Sequence, residues 1–271
     1  MCIHPPPTGC LVCAQQLQHP LHDGRGFTPL NPVKLNNIIS LILDVGDVFH
    51  VLINNCEFAE DVLYDLAHDV WVRLAEDGVA TVGLNSYMAW LAGRVSTVYF
   101  KPIGTRVERG SVIGSYEGPK HFGVVRSPLE GEIVEVNHTL TSDPKLLQND
   151  SYRAGWFAKL ELKNTSLEGA QLVSLEHAKK HLESRVTELK AHCYKAVPDH
   201  ELYAFGVECS AVLVQLNEYI EKAPIGTVVH VASDEPTADV EMVRWAKQTG
   251  QLLLEKRVED GVHHYLVKKV V

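Results

Sequence analysis

The chain has 271 residues, 45% of them hydrophobic, enough to bury a sizeable core in one large domain or two small ones. Its formal charge of −9, from 25 Lys and Arg against 34 Asp and Glu, argues against a nucleic-acid partner, because phosphate binding needs clustered cations. Apolar runs such as Leu41-Ile42-Leu43 are far short of a membrane span, and no basic-then-apolar segment opens the chain, so neither membrane insertion nor export is expected. Six cysteines without a secretory signal then predict a reducing, cytoplasmic setting with free thiols.

Residues 1–35 are rich in Pro, Gly, His and Cys and lack any sustained period, so they read as an irregular arm. Within it Cys2, Cys10 and Cys13, with His4, His19 and His22 nearby, have the chemistry of a zinc or iron–sulfur site. A single C-x-x-C is half the usual set, and the arm is assigned no metal. From Val70 to Leu162 short runs of Val, Ile, Tyr and Phe broken by glycines (VWVRL, GVATVGL, RVSTVYF, SVIGSYE, FGVVRSPL, EIVEV, WFAKLEL) predict a small all-β barrel or sandwich within a domain over 36–165. Over 166–199 Leu172, Leu175, Leu182, Val186 and Leu189 recur at helical intervals, and this segment is expected to be a linking amphipathic helix. Residues 200–271 alternate as strand, helix, strand, helix and a hairpin around Asp260-Gly261, which predicts a small α/β domain. His50, His138, His230 and the pair His263-His264 read as ordinary surface or strand residues without a role.

One lysine stands out. In SVIGSYEGPKHFGVVRSPL the turn signal Gly118-Pro119 joins two strand-like runs and puts Lys120 at the tip of a hairpin, with Val112, Tyr116, Val124 and Val125 suited to cross-strand pairs. A plain exposed lysine is the ordinary explanation for such a residue. A tip is also where a modifying enzyme can reach a lysine used as an attachment point.

The flanking motifs favour the second explanation. YDLAHDVWVRLAEDGVATVGLNSYM (64–88), with Tyr64, His68 and Trp71, resembles the opening of the H protein of the glycine cleavage system. GTRVERGSVIGSYEGPKHFGVVRSPLEGEIVEVN (104–137) resembles that family's lipoyl segment. Counting back from Ser127-Pro128 places Lys120 on the lipoyl lysine, with Glu117 three residues before it and Gly118-Pro119 where the family has Ser-Val. DSYRAGWFAKLEL (150–162) matches the closing strand through Gly155-Trp156. The resemblance implies covalent lipoate on Lys120; no methionine flanks that lysine, unlike the biotin carriers. Lipoate brings two sulfurs able to carry an aminomethyl group, electrons or sulfur.

The C-terminal segment 201–261 resembles the TusA-like sulfur carriers, with Gly206 and Cys209 in a G-x-x-C motif followed by Asp234, Pro236, Asp239, Val240, Trp245 and Gly250. Cys209 falls at a predicted helix start, where the dipole favours a thiolate able to hold a persulfide. It is therefore expected to react faster than Cys193, which sits toward a helix end. The fold expected for the whole chain is α+β and multidomain: an all-β lipoyl-type barrel-sandwich hybrid, a linking helix, and a βαβαββ TusA-like α/β sandwich.

The function these resemblances imply is that of a carrier, not an enzyme, moving sulfur or sulfur-linked intermediates between enzymes. Its partners would be a lipoate-attaching enzyme and sulfurtransferases or heterodisulfide-reductase-like enzymes. The alternatives are an orthodox H protein shuttling an aminomethyl group among the glycine cleavage enzymes, and a non-catalytic adaptor.

Overall fold

The computed structural model describes residues 50–163 and 170–271. The arm at 1–35, with Cys2, Cys10 and Cys13, lies outside the described residues. The first strands, β1 (His50–Ile53) and β2 (Cys56–Ala59), form a hairpin whose turn residues Asn54 and Asn55 both take positive φ. Asparagine tolerates that conformation better than most residues, and it matches the twist of a tight hairpin.

Short Val- and aromatic-rich runs then give β3 (Leu63–Asp65), β4 (Val70–Leu74), β5 (Val79–Leu84), the helix α1 (Ser86–Leu91), β6 (Thr97–Phe100) and β7 (Arg106–Val107). They continue as β8 (Val112–Glu117), β9 (Phe122–Arg126), β10 (Gly131–Val136), the single turns α2 (Thr139–Ser142) and α3 (Leu146–Asn149), and β11 (Trp156–Leu162). After the break come β12 (Leu172–Ser174) and α4 (Leu175–Glu188). One sheet has the order β12-β3-β4-β5-β11-β10-β7 and the other β6-β8-β9, so among the described residues the strands form open sheets and not a closed barrel. Strand alternation is clearest in β9, where Gly123 and Val125 point inward and their neighbours outward. Val82, Ile113, Tyr116, Val125, Ile133 and Phe157 fill the space between the sheets.

Two expectations change here. The single helix expected across 166–199 is a strand followed by a helix of 14 residues: β12 pairs antiparallel with β3, and α4 begins only at Leu175. Leu175, Ala178, Leu182 and Val186 then bury one face of α4 against Phe58, Tyr64, Trp71 and Tyr152, so the helix seals the side of the sandwich. The second change concerns the thiols. Cys56 in β2 is disulfide-bonded to Cys193, which follows α4, and both are buried. Neither is the free thiol that the absence of a secretory signal suggested.

The C-terminal part follows the expected βαβαββ order: β13 (His200–Ala204), α5 (Cys209–Lys222), β14 (Val228–Ser233), α6 (Ala238–Thr249), β15 (Leu252–Glu259) and β16 (Val262–Lys268). Its sheet runs β13-β14-β16-β15, parallel in the first pair and antiparallel in the others. Asp260 and Gly261, both at positive φ, turn the last hairpin as an Asp-Gly pair should. Both helices cover one face of the sheet, packing Val212, Leu216, Met242 and Trp245 on Val229, Val231, Tyr265 and Val267. The alternation of β13 and β14 turns Glu201, Tyr203 and His230 to the other face.

Candidate functional site

The β8–β9 hairpin carries Lys120. Its register runs from Val112 opposite Arg126 to Glu117 opposite Phe122. The expected apolar pairing is replaced by an aromatic on a glycine: Tyr116 lies opposite Gly123, where a Cβ would come within 2.2 Å of the ring. The Tyr116 hydroxyl donates to the Met88 carbonyl at 3.1 Å and so pins the strand to α1. Val125 is buried opposite Gly114, while Val124 is exposed.

The tip itself, 118–121, is fixed by backbone bonds. Gly118 N–H donates to His121 O at 3.1 Å, Lys120 N–H to Ala92 O at 3.1 Å, and Ser96 N–H to Glu117 O at 2.8 Å. A Cβ on residue 118 would sit 2.2 Å from the Ala92 carbonyl oxygen, which explains a glycine at this position. Glu117 thus anchors the tip through its carbonyl, and its side chain is exposed.

Lys120 is held by its backbone, and its side chain, which passes over Gly93, is 52% exposed. Its Nζ donates to both carboxylate oxygens of Glu201, at 3.0 and 3.2 Å, and the Tyr203 hydroxyl donates to the same carboxylate at 2.7 Å. Burial alone would raise the Glu201 pKa, but the bonds from Tyr203 and Lys120 outweigh it and hold the carboxyl below its ordinary value. Sequence reasoning missed Glu201; it lies 81 residues away and carries no local motif.

The other residues singled out in the first segment divide into two groups. Tyr64 and Trp71 are core: the Tyr64 hydroxyl donates to Ala59 O at 2.7 Å, and Trp71 Nε1 donates to Ser151 O at 3.2 Å. His68 instead lines a groove beside the lysine hairpin with Asp69, Met88, His121 and Phe122, its Nδ1 2.9 Å from Asp65.

Cys209 opens α5 and is the free cysteine among the described residues, 6% exposed. Its pKa moves opposite to the sequence expectation. Burial pushes the thiol up, and the carboxylates of Glu235 and Glu241 push it further the same way. The two motifs of this segment do meet, since Gly206 N–H donates to Asp234 Oδ1 at 2.8 Å. Trp245 Nε1 donates to Asn217 at 2.7 Å and joins α6 to α5, while Gly250 at φ 73° ends α6 in the left-handed conformation that favours glycine. Asp239 pairs with Lys256 at 2.6 Å, and Val240 is exposed. Among the described residues no group of His, Cys, Asp and Glu is arranged to hold a metal.

A covalently attached group could be carried on Lys120, whose backbone is anchored and whose side chain is half-exposed, once Glu201 gives up the amine. Residues 62–185 match the family model described as glycine cleavage H-protein, and residues 200–269 match that described as sulfurtransferase TusA. Glycine cleavage system H protein 3 of Aquifex aeolicus is 36% identical over 137 residues, which cover 51% of this chain and 83% of the relative. Glycine cleavage system H protein 5 of the same organism is 37% identical over 145 residues, 52% of this chain and 97% of the relative. The probable glycine cleavage system H protein 2 of Sulfolobus acidocaldarius is 33% identical, with 51% and 94% covered.

Proposed function

Because the chain belongs to the glycine cleavage H-protein family and continues into a TusA-type domain, we propose that it is a carrier bearing lipoate on Lys120 and sulfur on Cys209. In this reading it moves sulfur or sulfur-linked intermediates between enzymes. The observation that carries the reading is the tip lysine, backbone-anchored and half-exposed, in contact with a strand of the TusA-type domain. Lipoate on that lysine supplies two sulfurs for thiol and disulfide exchange. This chain's residues contribute a backbone-anchored base for the arm at Gly118–His121 and, on the same polypeptide, the free thiol of Cys209. Covalent linkage raises the effective concentration of one carrier near the other and favours transfer between them. The partners would be a lipoate-attaching enzyme and sulfurtransferases or heterodisulfide-reductase-like enzymes, and the setting the cytoplasm; no described helix is long and apolar enough to cross a membrane.

The burial of Cys209 and its raised pKa favour a second reading, in which Lys120 carries an aminomethyl group among the glycine cleavage enzymes and the C-terminal domain only docks partners. One experiment separates the two. Protein produced with a lipoylation pathway should gain a lipoyl increment in intact mass that is lost in Lys120→Arg. Incubation of that protein with a cysteine desulfurase should then place a persulfide on Cys209 and none on Cys209→Ser. Lipoylation without persulfide formation favours the second reading. An unmodified Lys120 in the presence of ligase and lipoate refutes both and leaves a non-catalytic adaptor.

A further inference from the structure

The amine of Lys120 is not idle before modification. It makes two charge-assisted hydrogen bonds to one carboxylate, and that carboxylate belongs to the TusA-type domain. Glu201 is itself positioned for this: it is half-buried, the Tyr203 hydroxyl orients it at 2.7 Å, and β13 is locked in register with β14. Further ties hold the same region down. Lys145 and Arg94 reach Asp199 at 2.6 and 3.2 Å, and Val197 N–H donates to Asn149 at 3.0 Å.

We propose that Glu201 is a gate on the modification of Lys120: the carboxylate occupies the unmodified amine and must release it before an acyl group can be attached. The inference rests on the reading of Lys120 as the lipoyl site. Attachment from an acyl-adenylate, formed by a ligase from lipoate and ATP, forms one bond from Nζ to the acyl carbon and breaks that carbon's bond to the adenylate oxygen. AMP leaves with the electron pair, and the ammonium gives up two protons, one before attack and one after it. The amide that results has no charge and a single N–H. It cannot restore the two bonds of the ammonium, so Glu201 does not recapture the arm once it is made.

The gate is modest, because a pair this exposed contributes little to the free energy of its closed state. Its test compares the full-length chain with Glu201→Gln in two reactions. The first is acetylation of Lys120 by a small N-hydroxysuccinimide ester, followed by peptide mass and normalised to Lys163, an exposed lysine paired with Glu130 away from this contact. The second is lipoylation by a lipoate–protein ligase with lipoate and ATP. Both rates at Lys120 should rise about two- to five-fold in Glu201→Gln. Glu201→Asp, which keeps the charge on a stem one methylene shorter, should fall between the two. Equal acetylation rates in wild type and Glu201→Gln overturn the gate, whatever the ligase does. Faster acetylation with no lipoylation of either protein leaves the gate standing and refutes the lipoyl reading instead.

Discussion

Gly118 shows how a departure from a family's motif is read at the scale of one residue. Where the family has Ser-Val before its lysine, this chain has Gly118-Pro119, and the Ala92 carbonyl occupies the space a Cβ would need. Gly118→Ala should therefore displace the tip and cost about 1–3 kcal/mol, as overpacking does, measurable as a lower denaturant midpoint at unchanged slope. Cys209 makes the opposite point. Its place at a helix start suggests an activated thiolate, yet burial and two glutamates dominate and raise the pKa. Iodoacetamide should accordingly label Cys209 more slowly near pH 7 than a solvent-exposed cysteine does, and the rate should keep climbing above the ordinary thiol pKa. Fast labelling at neutral pH would mean that the helix start outweighs burial and the two glutamates after all.

At the scale of elements, what sequence makes legible is what local chemistry decides. The β8–β9 hairpin announces itself by alternation on both sides of Gly118-Pro119, and the last hairpin by Asp260-Gly261. The start of α4 is hidden, because Leu172, Val173 and Leu175 suit a strand as well as a helix. The choice is made by pairing of β12 with β3, more than a hundred residues earlier. The disulfide was equally hidden, since Cys56 and Cys193 are 137 residues apart and have no shared motif. Glu201 belongs to the same class, a residue given meaning only by what the fold sets opposite it. α4 and the disulfide act on one cluster, and both can be tested there. Leu182 is fully buried among aromatic rings, so Leu182→Ala should destabilise by about 2–5 kcal/mol. Reducing the disulfide should cost about 2–4 kcal/mol through the long loop it closes. Denaturant titration with and without reductant reads the second effect, and Cys56→Ser should abolish its dependence on reductant.

Across the whole molecule the open face of the C-terminal sheet is covered by the segment that follows α4, through a seam of packed rings. His230, 2% exposed, lies parallel to His264 with centroids 5.2 Å apart and its Nε2 3.0 Å from His264 Nδ1. The Tyr194 ring covers His230 at 4.7 Å, Arg257 lies 4.2 Å over Tyr194, and its guanidinium donates to Cys193 O at 2.8 Å. No role was expected of either histidine from sequence, and the burial of His230 beside the half-buried His264 makes the pair the pH-sensitive part of the seam. Burial pushes the His230 pKa down to about 4, helped by His264, Lys120 and Arg257 and only partly offset by Glu201. His264 is lowered as well, again chiefly by burial. A depressed histidine pKa means that the folded chain binds fewer protons than the unfolded one below the ordinary value of 6.5. The stability this seam contributes is thus complete above about pH 6.5 and is lost as pH falls toward about 4, by an amount on the order of 3 kcal/mol for His230. His230→Phe removes that proton linkage while keeping a ring on Tyr194. It should be less stable than wild type at pH 7, because His264 Nδ1 loses its partner, and the difference should shrink or invert by pH 4.5. Urea titrations of both proteins at pH 7, 6, 5 and 4.5 measure it; parallel pH profiles would show that the charging of His230 does not govern the seam.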